Sequence, residues 1–344
     1  MGIADYHASV GDWREQLRKN ERKTRIVIAL FLLIYLFVGL IADTFILQTL
    51  ISQTSQFHPT LEQSFFALIT LKGTPYATLI MVGIAVVSLM ITYAFYDRIM
   101  LLGTEYHEVT PETAQSLQEK QLYNVVEEMK VAAGLQYMPK VFIIEAEYMN
   151  AFASGYSEKS AMVAITRGLM GKLDRQELQA VMAHELSHIR HHDIKLTLMV
   201  AVLSNILLIV IDILFYSIVF RRDKREDNRF AIVIIVLRYV LPIITVLLTL
   251  FLSRTREYMA DSGCVELMRD NEPMARALLK ISDDHQQHAE QYAQEYGNTP
   301  HEQVRQASYL FDPADIDPIK SLSSSLSTHP TIEQRLAALG FKPK

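Results

Sequence analysis

Residues 183–188 read Ala-His-Glu-Leu-Ser-His, an H-E-x-x-H pattern that falls inside a predicted helix. Successive helical residues turn by about 100°, so side chains four positions apart lie on one face. His184 and His188 are therefore predicted to point at one metal ion, and Glu185 lies close enough to reach a water beside that ion. The pattern alone is only moderately specific, so the surrounding sequence has to support it.

The helix that carries this pattern has a clear start signal. Asp174 followed by Glu177 forms a predicted capping box, and apolar residues recur behind it at helical spacing. The predicted buried face consists of Leu173, Leu178, Val181, Met182 and Leu186. The sequence therefore predicts a packed helix over residues 174–192, with the pattern inside it.

A hydrolytic zinc site needs a third protein ligand and an open fourth position. The single cysteine, Cys264, excludes cysteine-type zinc sites and an internal disulfide. Glu257 and Asp261 lie four residues apart on another predicted helix, where one carboxylate can bind the metal and the other can hold the ring N–H of a ligating histidine. From spacing alone, a solvated helix face paired with Arg254 and Arg256 is an equally good interpretation.

Composition places the chain between soluble and membrane proteins. The 344 residues are 50% hydrophobic and have a mean hydropathy of +0.14, which is too apolar for an ordinary soluble protein and too polar for a protein confined to the bilayer. The net charge of −5 gives no argument for nucleic-acid binding. A membrane anchor combined with a water-soluble domain is therefore expected.

Four long apolar runs predict membrane-spanning helices, at residues 26–47, 77–96, 196–220 and 230–252. Basic residues between Arg14 and Arg25 precede the first run, so the amino-terminal end should lie in the cytoplasm and residues 48–75 outside. The second span then returns the chain to the cytoplasm.

The last two runs form a predicted hairpin, which would bring Glu257 back to the side of the membrane that carries the H-E-x-x-H pattern. Its connecting loop, residues 221–229, holds five basic residues and should itself prefer the cytoplasm. We favour full crossing of both runs, with Asp212 and Arg238 pairing inside the bundle because isolated charges are costly in lipid.

The remaining chain predicts helices and short strands. A helix should begin at residues 110–111, with proline in its first position, and end before Gly134. Strands are predicted at residues 140–145, 148–154 and 160–166, with Gly155 in a turn. Later helices are predicted at residues 257–269, 272–295 and 331–339, and residues 296–326 are polar and loop-like. The expected fold class is α+β and mainly helical.

Four motifs carry a family resemblance. They are H-E-L-S-H at residues 184–188, R-E-Y-M-A-D at 256–261, N-A-F-A-S-G at 150–155, and S-T-H-P with a later arginine at 327–335. With these motifs in the family's order along the chain, and with two spans before the motif helix and two more before the glutamate, the chain resembles the HtpX-type membrane zinc endopeptidases. These are heat-shock proteases of the bacterial inner membrane within the gluzincin group, and the resemblance extends from about residue 26 onward.

The resemblance and the apolar runs together predict a polytopic membrane protein. Its zincin-like catalytic domain should face the cytoplasm and be divided by the second pair of spans. The predicted segments are a cytoplasmic amino-terminal segment (1–25), a two-span anchor with an outward loop (26–102), a first catalytic segment (103–195), the second pair of spans (196–252) and a second catalytic segment (253–344).

By resemblance, His184, His188 and Glu257 hold one zinc ion per chain, and Glu185 is the general base. Asp261 would then support one of the ligands. The implied role is hydrolysis of peptide bonds in misfolded or damaged membrane proteins or other unfolded polypeptides. The implied surroundings are a lipid bilayer, without nucleic acid.

The resemblance also assigns residues around the cleft. Residues 150–153 (Asn150, Ala151, Phe152 and Ala153) would form an edge strand that pairs with the substrate main chain, a mode that suits loose sequence preference. His329 would help to stabilise the oxyanion, with Arg335 fixing its position. A histidine packed at a helix start is an equally good interpretation of His329.

Other polar residues near the motif have plainer interpretations. His191 and His192 are interpreted as polar residues at the membrane interface. Asp193 either supports a ligand or is a helix-end carboxylate, and we favour the second. The histidines at 285, 288 and 301 lie in a polar stretch and are not expected to bind metal.

Three other functions match some features of the sequence. An intramembrane protease would embed the motif in an apolar span, whereas charged residues flank it here. A non-catalytic zinc-binding membrane scaffold or chaperone would not require the full set of expected catalytic residues, all of which are present. A transporter could use Asp212 and Arg238 along a pathway, but the large soluble domain argues against this function.

Overall fold

The computed structural model describes residues 3–8, 13–54, 56, 58–101, 105–155, 157–219, 228–292, 310 and 329–343. The chain forms two compact units. Unit 1 comprises residues 1–24, 93–197 and 250–344, and unit 2 comprises residues 25–92 and 198–249. All the candidate site residues belong to unit 1. Most of the basic loop 221–229 and most of the polar stretch 296–326 lie outside the described residues.

Unit 2 is built mainly from segments of four long apolar helices. They are α1 (Trp13–Thr54), α3 (Tyr76–Leu101), α7 (Asp193–Val219) and α8 (Asn228–Met268). In the part of the chain that the structure describes, three candidate spans lie at Leu17–Thr54, Met199–Ser217 and Ile232–Met268, and α3 adds a shorter apolar stretch, Tyr76–Ile91. Large apolar side chains are exposed along these helices, for example Leu33, Ile80, Ile213 and Ile243. The chain is therefore a membrane protein, while the fourth crossing and the orientation stay predictions.

A buried carboxylate joins α1 to the start of α3. Asp43 accepts hydrogen bonds from the main-chain N–H groups of Ala77 and Thr78 and from the Thr78 hydroxyl, the last at 2.6 Å. A helix start leaves such N–H groups without partners, so this acid performs the role of a cap. Its position within an apolar run is thereby explained.

The stretch predicted as a polar connection over residues 48–75 is partly helical. α1 continues to Thr54, and α2 (Leu61–Ile69) begins behind the capping box of Thr60 and Gln63. α2 is nine residues long and buries Leu61, Ser64 and Leu68 on one face. The sequence analysis assigned no helix within this stretch, and its outward position stays a prediction.

The predicted pair of Asp212 and Arg238 forms between α7 and α8. The Arg238 Nε atom lies 3.0 Å from Asp212 Oδ1, and the guanidinium carbon lies 4.0 Å from the centre of the Phe215 ring. The Asp212 and Arg238 side chains are 49% and 26% exposed respectively. The prediction of a pair is confirmed, but the pair is only partly enclosed.

Unit 1 contains a four-stranded sheet with the order β2-β3-β5-β4. The strands are β2 (Tyr106–Val109), β3 (Lys140–Ile144), β4 (Ala151–Ser154) and β5 (Met162–Thr166). β3 and β5 are parallel, and the two outer strands are antiparallel to their neighbours. The predicted strands are confirmed with shorter bounds, whereas β2 was not predicted because four residues with two polar side chains give no alternating pattern.

Helices pack on this sheet around a shared apolar core. α4 (Leu117–Ala133), α5 (Arg167–Lys172), α6 (Arg175–Arg190) and α9 (Glu272–Gln287) all contribute buried residues to it. The capping box of Asp174 and Glu177 begins α6 as predicted. α4 begins at Ser116 instead of residues 110–111, because Ser116 and Glu119 form a complete capping box there. It ends at Gly134, whose φ of 71° suits glycine.

α8 is one continuous helix, whereas the sequence predicted an apolar span and a separate helix at residues 257–269. The segment between Leu252 and Glu257 contains no glycine or proline, so nothing there ends the helix. Glu257 and Asp261 therefore lie on the same helix as the candidate span.

The two ends of the chain meet in unit 1. β1 (Tyr6–Ala8) pairs antiparallel with β6 (Phe341–Pro343), which follows α10 (Ile332–Ala338). Ile3 and Tyr6 also pack against the apolar core.

Candidate metal centre

α6 presents both histidines of the motif to one point. His184 is fully buried, and its Nε2 atom lies 3.2 Å from Nε2 of His188. The i,i+4 spacing on a capped, core-packed helix produces this convergence, as the sequence predicted.

Glu257 of α8 completes a three-ligand cluster. Its two carboxylate oxygens lie 3.5 Å from the Nε2 atoms of His184 and His188, one oxygen to each. One ligand atom from each of the three residues lies within 4.8 Å of the others, which suits a single ion. The structure thus brings together the three residues that the sequence placed on two distant segments.

Two further carboxylates orient the imidazoles. Asp261 Oδ1 lies 3.0 Å from Nδ1 of His184, and Asp193 Oδ2 lies 2.8 Å from Nδ1 of His188. When each carboxylate accepts the Nδ1–H of a neutral histidine, each Nε2 carries a lone pair that a metal ion can bind. In that tautomer the two Nε2 atoms, 3.2 Å apart and facing the Glu257 carboxylate, offer their lone pairs to one cation. The donor set therefore fits a divalent metal ion.

Neighbouring carboxylates also change the pKa of His184. Burial alone lowers the pKa of His184, but its hydrogen bonds to Asp261 and Glu257 outweigh burial and raise the pKa to about 9. These groups thus attract a positive charge to the imidazole cluster, which is the environment that a cation requires.

Asp193 is the residue whose role the sequence did not reveal. We favoured a simple helix-end carboxylate, and the structure contradicts that interpretation. Asp193 begins α7, is 2% exposed, bonds His188, and forms an ion pair with Arg256 of α8 at 3.2 Å. Its position five residues after His188, directly past the end of α6, is the signal that could have identified it.

Arg335 is a buried link between the centre and its surroundings. Its guanidinium donates two hydrogen bonds to Asp261, at 2.6 and 2.9 Å, and one to the carbonyl of Leu310 at 2.7 Å. Burial alone lowers its pKa, but the neighbouring carboxylates outweigh burial and keep the group charged. Arg335 thus holds the carboxylate that holds His184.

Glu185 and His329 lie close to the ligand cluster. Glu185 is 1% exposed, and neither of its carboxylate oxygens has a hydrogen-bond partner among the described residues. Burial raises the pKa of Glu185 above its usual range. His329 is also buried, and its Nε2 atom lies 3.9 Å from Glu257 Oε1. Both residues are therefore buried near the three candidate ligands, and their catalytic roles stay predictions.

The predicted substrate-pairing strand lies at an edge of the sheet. Ala151, Phe152 and Ala153 belong to β4, and Asn150 immediately precedes it. The main-chain N–H of Leu310 donates to the Ala151 carbonyl at 2.9 Å. A portion of this edge is therefore already paired, which the sequence did not predict.

Comparison with known proteins identifies the family. Residues 116–340 match the sequence model of the family described as "Peptidase family M48". The chain belongs to peptidase family M48. This match spans both halves of the metal centre, from α4 to the end of α10. With its apolar helices, the chain is therefore a membrane metalloprotease.

Relatives in this family are similar over most of their length. A "Protease HtpX homolog" of Helicobacter pylori (strain Shi470) is 38% identical over 323 residues, which cover 94% of this chain and 96% of the relative. A second, from Dictyoglomus thermophilum, is 37% identical over 268 residues, covering 75% and 81% respectively. Among solved structures, Ste24p of S. mikatae aligns over 76% of this chain and 57% of its own, with 21% identity and a TM-score of 0.48.

Proposed function

We propose that His184, His188 and Glu257 hold one zinc ion and that Glu185 is the general base of peptide-bond hydrolysis. The observation that carries this proposal is the convergence of two imidazole Nε2 atoms and one carboxylate, with both Nδ1 atoms bonded to acids. Such second bonds fix the tautomer of a ligating histidine. Zinc accepts this mixture of nitrogen and oxygen ligands.

The residues around the ion divide the reaction between them. When bound, zinc supplies Lewis acidity to the scissile carbonyl and to the attacking water. Glu185 takes a proton from that water as it attacks the carbonyl carbon, and then delivers the proton to the nitrogen of the leaving amine. Its buried oxygens, with no partner among the described residues, leave the carboxylate available for this transfer. His329 donates toward the oxygen on which negative charge develops.

We further propose that the substrates are unfolded or damaged membrane proteins. The HtpX-type relatives carry the name of a protease, and in this chain the helix that supplies Glu257 also contains a candidate span. The edge strand β4 offers main-chain hydrogen bonds that any extended peptide can use. Location in a bacterial inner membrane, with unit 1 on the cytoplasmic side, belongs to the same proposal.

The first experiment measures the zinc content of detergent-purified protein. Wild type should contain about one zinc per chain, and Glu257→Ala should lose it or bind it much more weakly, because a three-ligand site loses its only carboxylate. Glu266→Ala is the matched control, since this glutamate lies on the same helix and pairs with Arg190. Full zinc retention in Glu257→Ala would contradict the proposed ligand set.

A cleavage assay distinguishes a catalytic role of Glu185 from a role in metal binding. Glu185→Ala should retain zinc and lose cleavage of an unfolded test protein such as denatured casein, because the proton acceptor is gone. Zinc retention with wild-type cleavage would show that Glu185 is not the base. Zinc in the wild type without any cleavage would favour a non-catalytic scaffold or chaperone.

A further inference from the structure

The first turns of α1 carry a concentrated positive charge. Residues 13–25 contain six basic and two acidic residues, in a chain whose net charge is −5. The apolar run of the first candidate span follows directly, beginning at Ile26. The charge therefore lies at the point where α1 becomes apolar.

The basic residues share one face of α1. Successive helical residues turn by about 100°, so Arg18, Arg22 and Arg25 fall within about 60° of one another. Lys19 lies at the border of the same sector. All four side chains are exposed. We call this set of four residues the basic face of α1.

The opposite side of α1 is packed inside unit 1. Asn20 is buried there. The Thr24 hydroxyl donates to the sulfur of Met259 at 3.6 Å, and the Lys23 ammonium lies 5.9 Å from the centre of the Phe251 ring. Met259 and Phe251 belong to α8. These contacts fix the rotation of α1 about its own axis, so the basic face points outward.

The sector of the basic face continues along α1 as an apolar surface. Ile26, Leu33 and Leu36 are exposed, and helical spacing places them in the same sector as the basic face. Exposed apolar side chains on a candidate span face lipid tails. One side of α1 thus changes from apolar to basic along its length, as a phospholipid changes from acyl chain to phosphate.

The distances along α1 match the dimensions of a bilayer surface. At 1.5 Å per residue, Arg22, Lys19 and Arg18 lie about 6 to 12 Å from Ile26 along the helix axis. A headgroup layer is about 5–8 Å thick. Long basic side chains bend along a helix toward the membrane interface, which covers the remaining distance.

We propose that the basic face of α1 binds the headgroup of an anionic phospholipid in the membrane. Guanidinium groups donate paired hydrogen bonds to phosphate oxygens, and each basic residue adds attraction to an anionic membrane surface. A zwitterionic headgroup suits this face less well, because its ammonium is repelled by the cluster. The bound lipid holds the beginning of α1 at the membrane surface, while the other side of α1 packs on the helix that supplies Glu257.

Native mass spectrometry of the detergent-purified chain measures the lipid preference. The probes are phosphatidylglycerol and phosphatidylcholine with identical acyl chains, added in equal amounts. The first lipid bound to wild type should be phosphatidylglycerol by about 5-fold or more, the factor expected for one basic residue near an anionic surface. Equal occupancy by the two lipids would overturn the proposal and leave the basic residues only a role in orientation.

A matched pair of triple variants assigns the preference to α1. Replacing Arg18, Lys19 and Arg22 together by glutamine should abolish it. The control replaces three exposed lysines elsewhere in unit 1 by glutamine, which changes the net charge equally and should leave the preference intact; they are Lys120, Lys140 and Lys342. An equal loss in both variants would mean that total charge attracts the lipid, which contradicts a site on α1.

Hydrogen–deuterium exchange in nanodiscs locates the bound lipid. Exchange over residues 14–24 should be slower in nanodiscs that contain phosphatidylglycerol than in phosphatidylcholine alone, and α4 (Leu117–Ala133) should not change. Unchanged exchange over residues 14–24 with phosphatidylglycerol bound would place the lipid elsewhere and overturn the proposal. Soluble glycerol phosphate, which lacks acyl chains, should not displace the lipid. Displacement by it would show a general phosphate site and contradict recognition of a lipid.

Discussion

Each imidazole of the metal centre is held by a carboxylate from a different helix. Asp261 on α8 holds His184, and Asp193 at the start of α7 holds His188. Arg335 and Arg256 in turn hold these two carboxylates. Each histidine is therefore followed by the same chain of contacts, first an aspartate and then an arginine. Its physical effect is to fix both ring orientations before a metal binds.

The role of Asp193 can be tested by replacing its carboxylate with an uncharged amide. Asp193→Asn should weaken zinc binding about 10- to 100-fold, because the uncharged amide supports the imidazole less strongly and leaves Arg256 without its counter-charge. Competition with a chelator measures the affinity. Asp283→Asn on the exposed face of α9 is the control. Equal zinc affinity in Asp193→Asn and wild type would reduce Asp193 to the helix-end carboxylate that the sequence suggested.

At this scale the sequence predicted the cluster of candidate ligands more completely than the side chains that hold them. Helical spacing predicts that His184 and His188 share one face, and the predicted hairpin returns Glu257 toward them. Only the family resemblance selects Glu257 as the third ligand. Asp193 is not predicted in this way, because a carboxylate directly after a helix end occurs for many reasons. Leu310 gives no signal at all, since one leucine in a polar stretch acquires meaning only when β4 and Arg335 lie on either side of it.

The crossing of α6 and α8 depends on one glycine. A Cβ atom at Gly263 would lie 2.5 Å from the Ser187 Oγ and 2.9 Å from its Cβ, so the two helices approach too closely for any side chain there. Cys264 lies at the same crossing, with Sγ 3.2 Å from the Ala180 carbonyl. This close approach allows Glu257, six residues earlier, to reach the histidines of α6.

Gly263→Ala should therefore push α6 and α8 apart. We expect the free energy of unfolding to fall by about 1–3 kcal/mol, as in other overpacked cores, and zinc affinity to fall with it. Thermal unfolding and chelator competition measure the two effects. Adding Ser187→Gly should restore zinc affinity, because it removes both contacting atoms. Gly171→Ala, which has free space around its Cβ position, is the control and should change neither quantity.

The join between α1 and α3 is a second helix contact that depends on few atoms. Asp43 is 2% exposed and caps α3, and at Gly39 a Cβ would clash with the Thr78 hydroxyl oxygen. An acid in an apolar run looks unfavourable in the sequence, yet its partners are N–H groups that α3 leaves open. Sequence periodicity cannot reveal such a partner, because it lies 34 residues away.

Asp43→Ala should lower the stability of unit 2. Loss of the acceptor leaves buried donors at Ala77 and Thr78 unpaired, which costs about 1–3 kcal/mol. Thermal unfolding in detergent, followed by helical circular dichroism, would measure the change. Gln53→Ala, at an exposed position of the same helix, serves as the control. An unfolding temperature equal to that of the control would show that Asp43 contributes no net stability.

For the whole molecule, the sequence predicts alternating apolar and water-soluble segments, and their exact boundaries stay a prediction. The structure forms two compact units, each built from separate stretches of the chain. Orientation in the membrane is a different matter. Charge near the first span and charge in the loop 221–229 favour opposite arrangements, and sequence periodicity cannot decide between them. The meeting of the two chain ends was also beyond the sequence, because three-residue strands carry no periodicity.

That meeting has a consequence for the metal centre. β6 follows α10, the helix that carries Arg335, and its pairing with β1 anchors α10 at its carboxyl end. Asn271 adds a second anchor through the Leu339 carbonyl at 2.7 Å. Because Arg335 holds Asp261 and Asp261 holds His184, the amino-terminal strand supports a proposed zinc ligand through three successive contacts.

Replacing residues 3–8 by a Gly-Ser sequence of equal length should therefore loosen the centre. We expect faster hydrogen–deuterium exchange over residues 332–343 and weaker zinc binding, since the replacement removes both the β1–β6 pairing and the packing of Ile3 and Tyr6. Lys342→Ala changes only an exposed side chain of β6 and is the control. Unchanged exchange in α10 would mean that Asn271 and the core hold this helix without β1. Faster exchange with unchanged zinc affinity would instead show that the Arg335 contact to Asp261 survives the loss of the strand, and that the chain ends stabilise the fold but not the centre.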